Sequence, residues 1–469
     1  MAGEERFLDQ KVLKIINDYL KKNDLPDTPV TKYLYPHEIR EKIDLAISRE
    51  GCSLDDLYKA IQDYLEASVR TGHKQYFNQL WSGFTLPGLL GDIFTSLTNT
   101  SMYTYEVAPA ATLIERFLVE KMGSIVGFKK PEGIFVTGGS HGNLMAMMIA
   151  RNNAFPDIKE EGHKADKTLT AFVSDQAHYS FDKAANILGI GSQNVIKVKT
   201  DSAGRMIPEE LEKTVKHYQE QGKAPFFVGL TAGTTVKGAY DPCDEIAPLA
   251  RKYRLWLHVD GSFGGSVILS PQHRRLMKGC EEANSLIWNP HKMMRLPLIC
   301  SVFLVREEGN LRNTFSASGT EYIFHDHDFA AYDLGPLSMQ CGRRVDAFKL
   351  WLSWKYYGDN GYAELMDKFF DLAAHAEDKV NSLDELELMA PRNSVTVCFR
   401  YLPRSTENIN AFNLRLREEL AKSGKSFVNY GYIDSEVTIR LVILNHETEK
   451  EDVDRFFDNV ISTGRSIEK

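Results

Sequence analysis

Asn289-Pro290-His291-Lys292 places a lysine just after a short apolar stretch, and an aspartate, Asp260, closes the earlier run Leu255-Trp256-Leu257-His258-Val259-Asp260. Together they supply the two halves of a pyridoxal phosphate site. The amine captures the cofactor's aldehyde as a Schiff base, and the carboxylate keeps the pyridine nitrogen protonated so that the ring accepts electrons from a carbanion. Taken singly, each has an ordinary alternative: a solvated lysine, or a strand-end aspartate that caps the next turn.

Three further segments change that balance. Val136-Thr137-Gly138-Gly139-Ser140-His141-Gly142-Asn143 follows an apolar strand pattern and opens the apolar helix Leu144 to Ala150, where backbone N–H groups would cradle a phosphate. It has neither G-x-G-x-x-G spacing nor the G-K-[ST] ending of a P-loop. Thr231-Ala232-Gly233-Thr234-Thr235 follows another strand pattern, with hydroxyls able to reach an anion at a strand's C-terminal end. Ser174-Asp175-Gln176-Ala177-His178-Tyr179 follows a third, and His178 there could lie flat on a pyridine ring. Each segment also reads as a plain polar turn, but all fall at strand ends of one expected sheet.

The elements that must position these groups follow from hydrophobic patterning. Residues 1–85 are helical in period, with Leu54, Leu57, Ile61 and Leu65 three or four apart, and read as an arm that packs on another surface. Residues 86–345 alternate strands with helices, the strands at 133–136, 170–173, 226–229, 255–259 and 301–305, which predicts an α/β domain on a mostly parallel sheet. Residues 346–469 give a long helical region, strands at 394–400 and 436–444, and a closing helix from Glu449. That is a smaller α+β domain.

The chain has 469 residues and a formal charge of −8, enough for more than one core and unfavourable for binding nucleic acid or an anionic membrane. Six cysteines lie far apart with no C-x-x-C pair, which argues against a disulfide framework or a zinc knuckle and for reduced thiols. No metal site is expected. The first residues are charged from Glu4 onward and lack a signal peptide's apolar core, so a cytoplasmic protein is expected.

Through residues 174–178, 231–235, 258–260 and 289–294 the sequence resembles the group II pyridoxal-phosphate-dependent amino-acid decarboxylases over nearly its whole length. The resemblance implies that Lys292 is the Schiff-base lysine, Asp260 pairs with the pyridine nitrogen and His178 stacks on the ring. Gly139, Ser140, Thr235, Asn289 and His291 would surround the phosphate. It also implies a fold-type-I, aminotransferase-like architecture and a homodimer with the N-terminal arm packed on the partner.

With this cofactor, the bond held perpendicular to the conjugated plane breaks, so placement of the α-carboxylate decides the reaction. By resemblance Arg440 holds that carboxylate, a task suited to a guanidinium; read from the strand pattern alone it is a surface arginine. The segments 73–83 and 99–109 look like the acidic-substrate branch, where Gln79 would contact the distal acid group. Trp81, Ser101 and Tyr103 look closer to the cysteine sulfinate enzymes than to the glutamate ones: Trp81 would shorten the pocket, and the two hydroxyls suit a sulfinate. Cysteine sulfinate is the expected substrate, with cysteate, aspartate and glutamate as alternatives.

The family's mobile loop carries a tyrosine thought to protonate the carbanion. Here the stretch Tyr322 to Asp333 looks shorter and brings Asp328 or Phe329 near that position, with Tyr332 farther on. Phenylalanine gives no proton, which leaves His327, Tyr332 or water for that step, or an oxidative outcome that yields an aldehyde.

Overall fold

The computed structural model describes residues 10–23, 25, 27–162, 167–326, 328–404 and 408–469. Twelve strands appear among them: β1 (Tyr76–Phe77), β2 (Glu132–Val136), β3 (Leu169–Ser174), β4 (Val195–Val198), β5 (Ala224–Thr231), β6 (Trp256–Gly261), β7 (Ser285–Trp288), β8 (Ser301–Val305), β9 (Leu386–Leu388), β10 (Thr396–Tyr401), β11 (Phe427–Ile433) and β12 (Glu436–Val442). The chain folds into two compact units, Phe84–Ala373 with Ala390–Thr396, and the described residues up to Gly83 with Ala374–Met389 and Val397–Lys469.

The larger unit is built on a seven-stranded sheet in the order β2-β8-β7-β6-β5-β3-β4. β3, β4, β5, β6 and β7 pair in parallel, and β8 runs antiparallel to both β7 and β2. The C-terminal ends of β2, β3, β5, β6 and β7 therefore share one edge of the sheet, where α/β folds place ligands. Pairing in register sets Thr231 beside Asp260, and Asp260 beside Ile287.

These strands are buried apolar runs, as strands covered on both faces must be. Helix Gly139–Ala154 packs across β2, β5, β6, β7 and β8, with Met145, Ile149, Val136, Ala171, Val173 and Phe227 in one core. The close approach depends on Gly142: a Cβ there would lie 2.5 Å from Ile287 Cδ1. The helix start is thereby pinned against β7.

The smaller unit holds a five-stranded sheet, β1-β11-β12-β10-β9. Helix Lys450–Ile467 buries Val453, Phe456, Phe457 and Val460 on one stripe, and Phe77 of β1 packs edge-on against Phe456 at 5.2 Å. β1 pairs in parallel with β11, so the described N-terminal residues group with the C-terminal segments. This grouping differs from a division at 85 and 345, because a two-residue strand carries no periodicity and its partner lies near the other end of the chain. Helix Leu54–Ala67 leaves Leu54, Leu57 and Ile61 exposed. Among the described residues no helix is long and apolar enough to cross a membrane.

Candidate active site

Lys292 lies in the turn after β7, where its N–H donates to the Asn289 carbonyl at 3.0 Å and its own carbonyl accepts from Arg295 at 3.1 Å. Its side chain is half-buried, and its charge acts on Asp260, His178 and His291. Asp260 is 4 % exposed. Its Oδ1 accepts from the Ser262 N–H at 3.1 Å and its Oδ2 from Asn143 Nδ2 at 2.7 Å. Burial works to raise its pKa, but the bonds from Ser262 and Asn143 and the Lys292 charge outweigh it and hold the carboxyl below its usual range. His178, half-buried after β3, has Nδ1 2.9 Å from Ser180 Oγ. Burial pushes its pKa down, with Asp260 opposing, so the ring is neutral near pH 7.

Gly139 opens its sixteen-residue helix, whose first-turn N–H groups carry the positive end of the helix dipole. A Cβ at Gly139 would lie 2.2 Å from Ser262 Oγ and 3.1 Å from Asn289 Nδ2, so the bare backbone here abuts the ends of β6 and β7. Ser140, on the same turn, is exposed. Asn289 is 2 % exposed, and its Oδ1 is buried without a protein partner among the described residues, a polar end that a ligand group would complete. Thr235 is half-buried at the end of a segment tied down at three points: Thr231 N–H to Asp241 Oδ2 at 2.7 Å, Ala232 N–H to the Asp260 carbonyl at 2.9 Å, and Gly233 N–H to the Ala239 carbonyl at 2.9 Å. His291 is buried, with Nδ1 2.7 Å from the Cys300 carbonyl, and burial pushes its pKa down to about 3. A helix N-terminus without a Cβ, an unsatisfied buried amide, a carboxylate held anionic and a lysine beside it fit pyridoxal phosphate.

The expected substrate-side residues fall into two groups. Arg440 on β12 is 5 % exposed, not a surface arginine, and its Nη2 donates to the Asn78 carbonyl at 2.9 Å. Burial pushes its pKa down and Tyr76 opposes. Gln79 Nε2 donates to Asn78 Oδ1 at 2.6 Å, and the half-buried Trp81 packs on Tyr76 with ring centroids 6.0 Å apart. Arg440, Gln79 and Trp81 are thus linked through Tyr76 and Asn78.

Ser101 and Tyr103, in the larger unit, are half-buried beside a different segment. Ser101 Oγ accepts from the Arg343 N–H at 3.1 Å, and the Tyr103 carbonyl accepts from the Gly335 N–H at 2.9 Å. Arg343 is buried against Glu115, with Nη1 at 2.9 and 3.1 Å from its two carboxylate oxygens, and Nη2 donates to the Met102 carbonyl at 3.3 Å. The exposed ring of Phe329 lies 5.3 Å from that of Tyr105; Tyr332 lies 5.4 Å from the same ring and under the Arg116 guanidinium at 4.9 Å. His327 lies outside the described residues.

Residue patterning overlooked Asn143, Ser180, His258, Ser262 and Asp241. Two signals were available. His258 stands two residues before Asp260 on one strand and shares its face, and Asn143 stands one helical turn beyond Gly139.

The family described as "Pyridoxal-dependent decarboxylase conserved domain" matches residues 36–402. The chain is 38 % identical over 480 residues to the acidic amino acid decarboxylase GADL1 of Mus musculus, covering 99 % of this chain and 87 % of that one. It is 36 % identical over 466 residues to the cysteine sulfinic acid decarboxylase of Mus musculus, covering 97 % and 94 %. The crystal structure of mouse CSAD superposes with a TM-score of 0.92 at 35 % identity, covering 97 % of each chain. The architecture is that of fold-type-I pyridoxal phosphate enzymes.

Two site histidines make stability depend on pH. Burial holds His258 at about 4 and His291 at about 3, against 6.5 for a free imidazole. The groups facing them are Asp260 and Ser285 for His258, and Lys292, Lys349 and Cys300 for His291. The unfolded chain binds these protons below pH 6.5 and the folded chain does not. The stabilisation is therefore present above pH 6.5 and is lost as pH falls toward 4, by roughly 2 kcal/mol per ring between pH 7 and 5. Urea unfolding should show a lower midpoint at pH 5 than at pH 7, and His291→Gln should shrink the difference; equal midpoints for the wild type at both pH values would contradict it.

Proposed function

We propose that this chain, which belongs to the pyridoxal-dependent decarboxylase family, removes the α-carboxyl group of a short acidic amino acid, with cysteine sulfinate as the preferred substrate and hypotaurine as the product. Pyridoxal phosphate supplies the conjugated ring that takes up the electron pair left when carbon dioxide departs. Lys292 Nζ is the covalent tether. Asp260 would keep a proton at the pyridine nitrogen, His178 would lie against the ring, and the Gly139–Ser140 turn with Thr235, Asn289 and His291 would hold the phosphate.

The observation that carries the reaction type is Arg440. A guanidinium that is 5 % exposed and donates to the Asn78 carbonyl attracts an anionic ligand strongly, because attraction between charges grows as water is excluded. A substrate α-carboxylate supplies that anion, and fixing it orients the bond to be broken. Substrate length follows from Trp81, whose ring is backed by Tyr76 and forms a rigid wall. Gln79, Ser101 and Tyr103 carry groups able to donate to a distal acid group, and a sulfinate presents the same two anionic oxygens as a carboxylate on a side chain shorter than that of glutamate.

A homodimer is part of this reading. Leu86, Leu90, Phe94 and Leu97 form an exposed stripe on helix Leu86–Thr98, with Leu113 and Phe117 exposed on helix Pro109–Val126. An apolar cavity of about 440 Å³ opens among Phe94, Val107, Ile114 and Phe348. Contiguous apolar surface of this kind is rare on monomers, and a second copy of the chain covers it.

A substrate panel tests the reaction: cysteine sulfinate, cysteate, aspartate, glutamate and an aromatic amino acid, scored for carbon dioxide, amine and hydrogen peroxide. Cysteine sulfinate should give the highest kcat/KM with amine as product, and Trp81→Ala should shift preference toward glutamate. No turnover of any acidic member would defeat the reading, and peroxide in step with carbon dioxide would replace the amine product with an aldehyde. Light scattering tests the assembly, with twice the chain mass expected for the wild type and a shift toward one chain mass for Leu97→Glu; a wild type of single-chain mass at micromolar concentration would count against it.

A further inference from the structure

Four buried polar side chains connect an indole on β6 to both catalytic candidates that flank the cofactor ring. Trp256 Nε1 donates to Ser285 Oγ at 2.8 Å, Ser285 Oγ lies 2.9 Å from His258 Nδ1, and His258 Nε2 lies 2.9 Å from Asn143 Oδ1. Asn143 Nδ2 then donates to Asp260 Oδ2 at 2.7 Å and to Ser180 Oγ at 2.8 Å, and Ser180 Oγ lies 2.9 Å from His178 Nδ1. Asn143, His258 and Ser285 are fully buried.

Donor and acceptor chemistry gives this chain one direction. An indole N–H only donates, so Ser285 Oγ accepts there and keeps its own proton available for His258 Nδ1. The other end fixes the direction: an Asp260 carboxylate only accepts, so Asn143 must turn Nδ2 toward it and Oδ1 toward His258. That selects the Nε2–H tautomer of a neutral His258 and makes Ser285 the donor to its Nδ1. With both amide hydrogens spent, Ser180 accepts one of them and gives its hydroxyl proton to His178 Nδ1. The Ser180 backbone N–H, 3.3 Å from the same nitrogen, agrees with Nδ1 as an acceptor. His178 is left with its proton on Nε2.

We propose that Asn143 is a positioning residue for the decarboxylase site, the junction of a one-way chain of hydrogen bonds that keeps Asp260 an anion and fixes His178 as the Nε2–H tautomer. The inference rests on the reading above only in taking the cofactor ring to lie between those two residues. Burial supports the chain's direction by keeping both histidines neutral near pH 7. The charged and titratable groups facing the two ends are Lys292 and His258 at Asp260, and Asp260, Lys292 and Lys183 at His178.

Asn143→Leu removes the junction with little change in volume, Ser180→Ala cuts only the branch to His178, and Ser180→Thr restores its hydroxyl. Nitrogen-15 spectra of histidine-labelled full-length protein, with and without pyridoxal phosphate, report the tautomers. Visible absorption of the loaded protein from pH 5 to 9 reports the charge at Asp260. The wild type should show His178 as Nε2–H and an absorption set by Asp260 that does not titrate. Ser180→Ala should lose the tautomer alone, and Ser180→Thr should regain it. Asn143→Leu should lose both and lower kcat roughly 10- to 100-fold with little change in KM, the size of one lost charge-assisted hydrogen bond. If Asn143→Leu does not fold, the Ser180 pair still decides the branch to His178. A wild-type His178 spectrum in Ser180→Ala, or wild-type spectra in a folded Asn143→Leu, would overturn the proposal. Because these spectra need no substrate, a failed substrate panel leaves this test standing.

Discussion

Everything at the sheet edge answers to one constraint: a carboxylate, Asp260, is kept charged where almost no water reaches it. Moving an ionised group from water into a protein interior costs several kcal/mol after relaxation unless hydrogen bonds and opposite charge replace its hydration. The Ser262 N–H, the Asn143 amide and the Lys292 charge do so here. Each comes from a different element, which is why the parallel sheet matters: its register brings β5, β6 and β7 to one edge, and Gly142 lets the helix carrying Asn143 close on β7. Loss of that alignment would leave a buried charge uncompensated.

On the proposed function, capture and selection fall to different residues. Lys292, Asp260 and the Gly139 turn are fixed by strands and a long helix, elements rigid enough to hold geometry. Arg440 and Trp81 sit on the smaller unit, bound through Asn78 and Tyr76, while Ser101 and Tyr103 are held by the segment carrying Gly335 and Arg343. Capture therefore rests on the sheet. On that reading Trp81, Ser101 and Tyr103, which select the substrate, lie outside strands and helices, where residues can vary without disturbing it.

The sequence made part of this legible. The strands that lead to Gly139, His178 and Thr235 were visible as apolar runs closed by turn residues, and Asp260 ended another such run. β7, four residues long, and the two-residue β1 were not visible, since neither is long enough to show a period and β1 exists only by pairing with β11. Arg440 read as a surface residue on its strand pattern because alternation alone does not say which face is covered. The polar chain through Asn143, Ser180 and Ser285 was invisible for a related reason. Each member reads as a cap or a turn, and only the packed fold brings them within bonding distance.

The central claim is that Lys292, beside a charged Asp260, is where the cofactor is held. Borohydride reduction of the purified protein loaded with pyridoxal phosphate, followed by digestion and peptide mass spectrometry, tests it most directly. The account predicts a phosphopyridoxyl group on the peptide containing Lys292 and its absence in Lys292→Ala. A label on another lysine, or none on a wild-type protein that binds the cofactor, would contradict it.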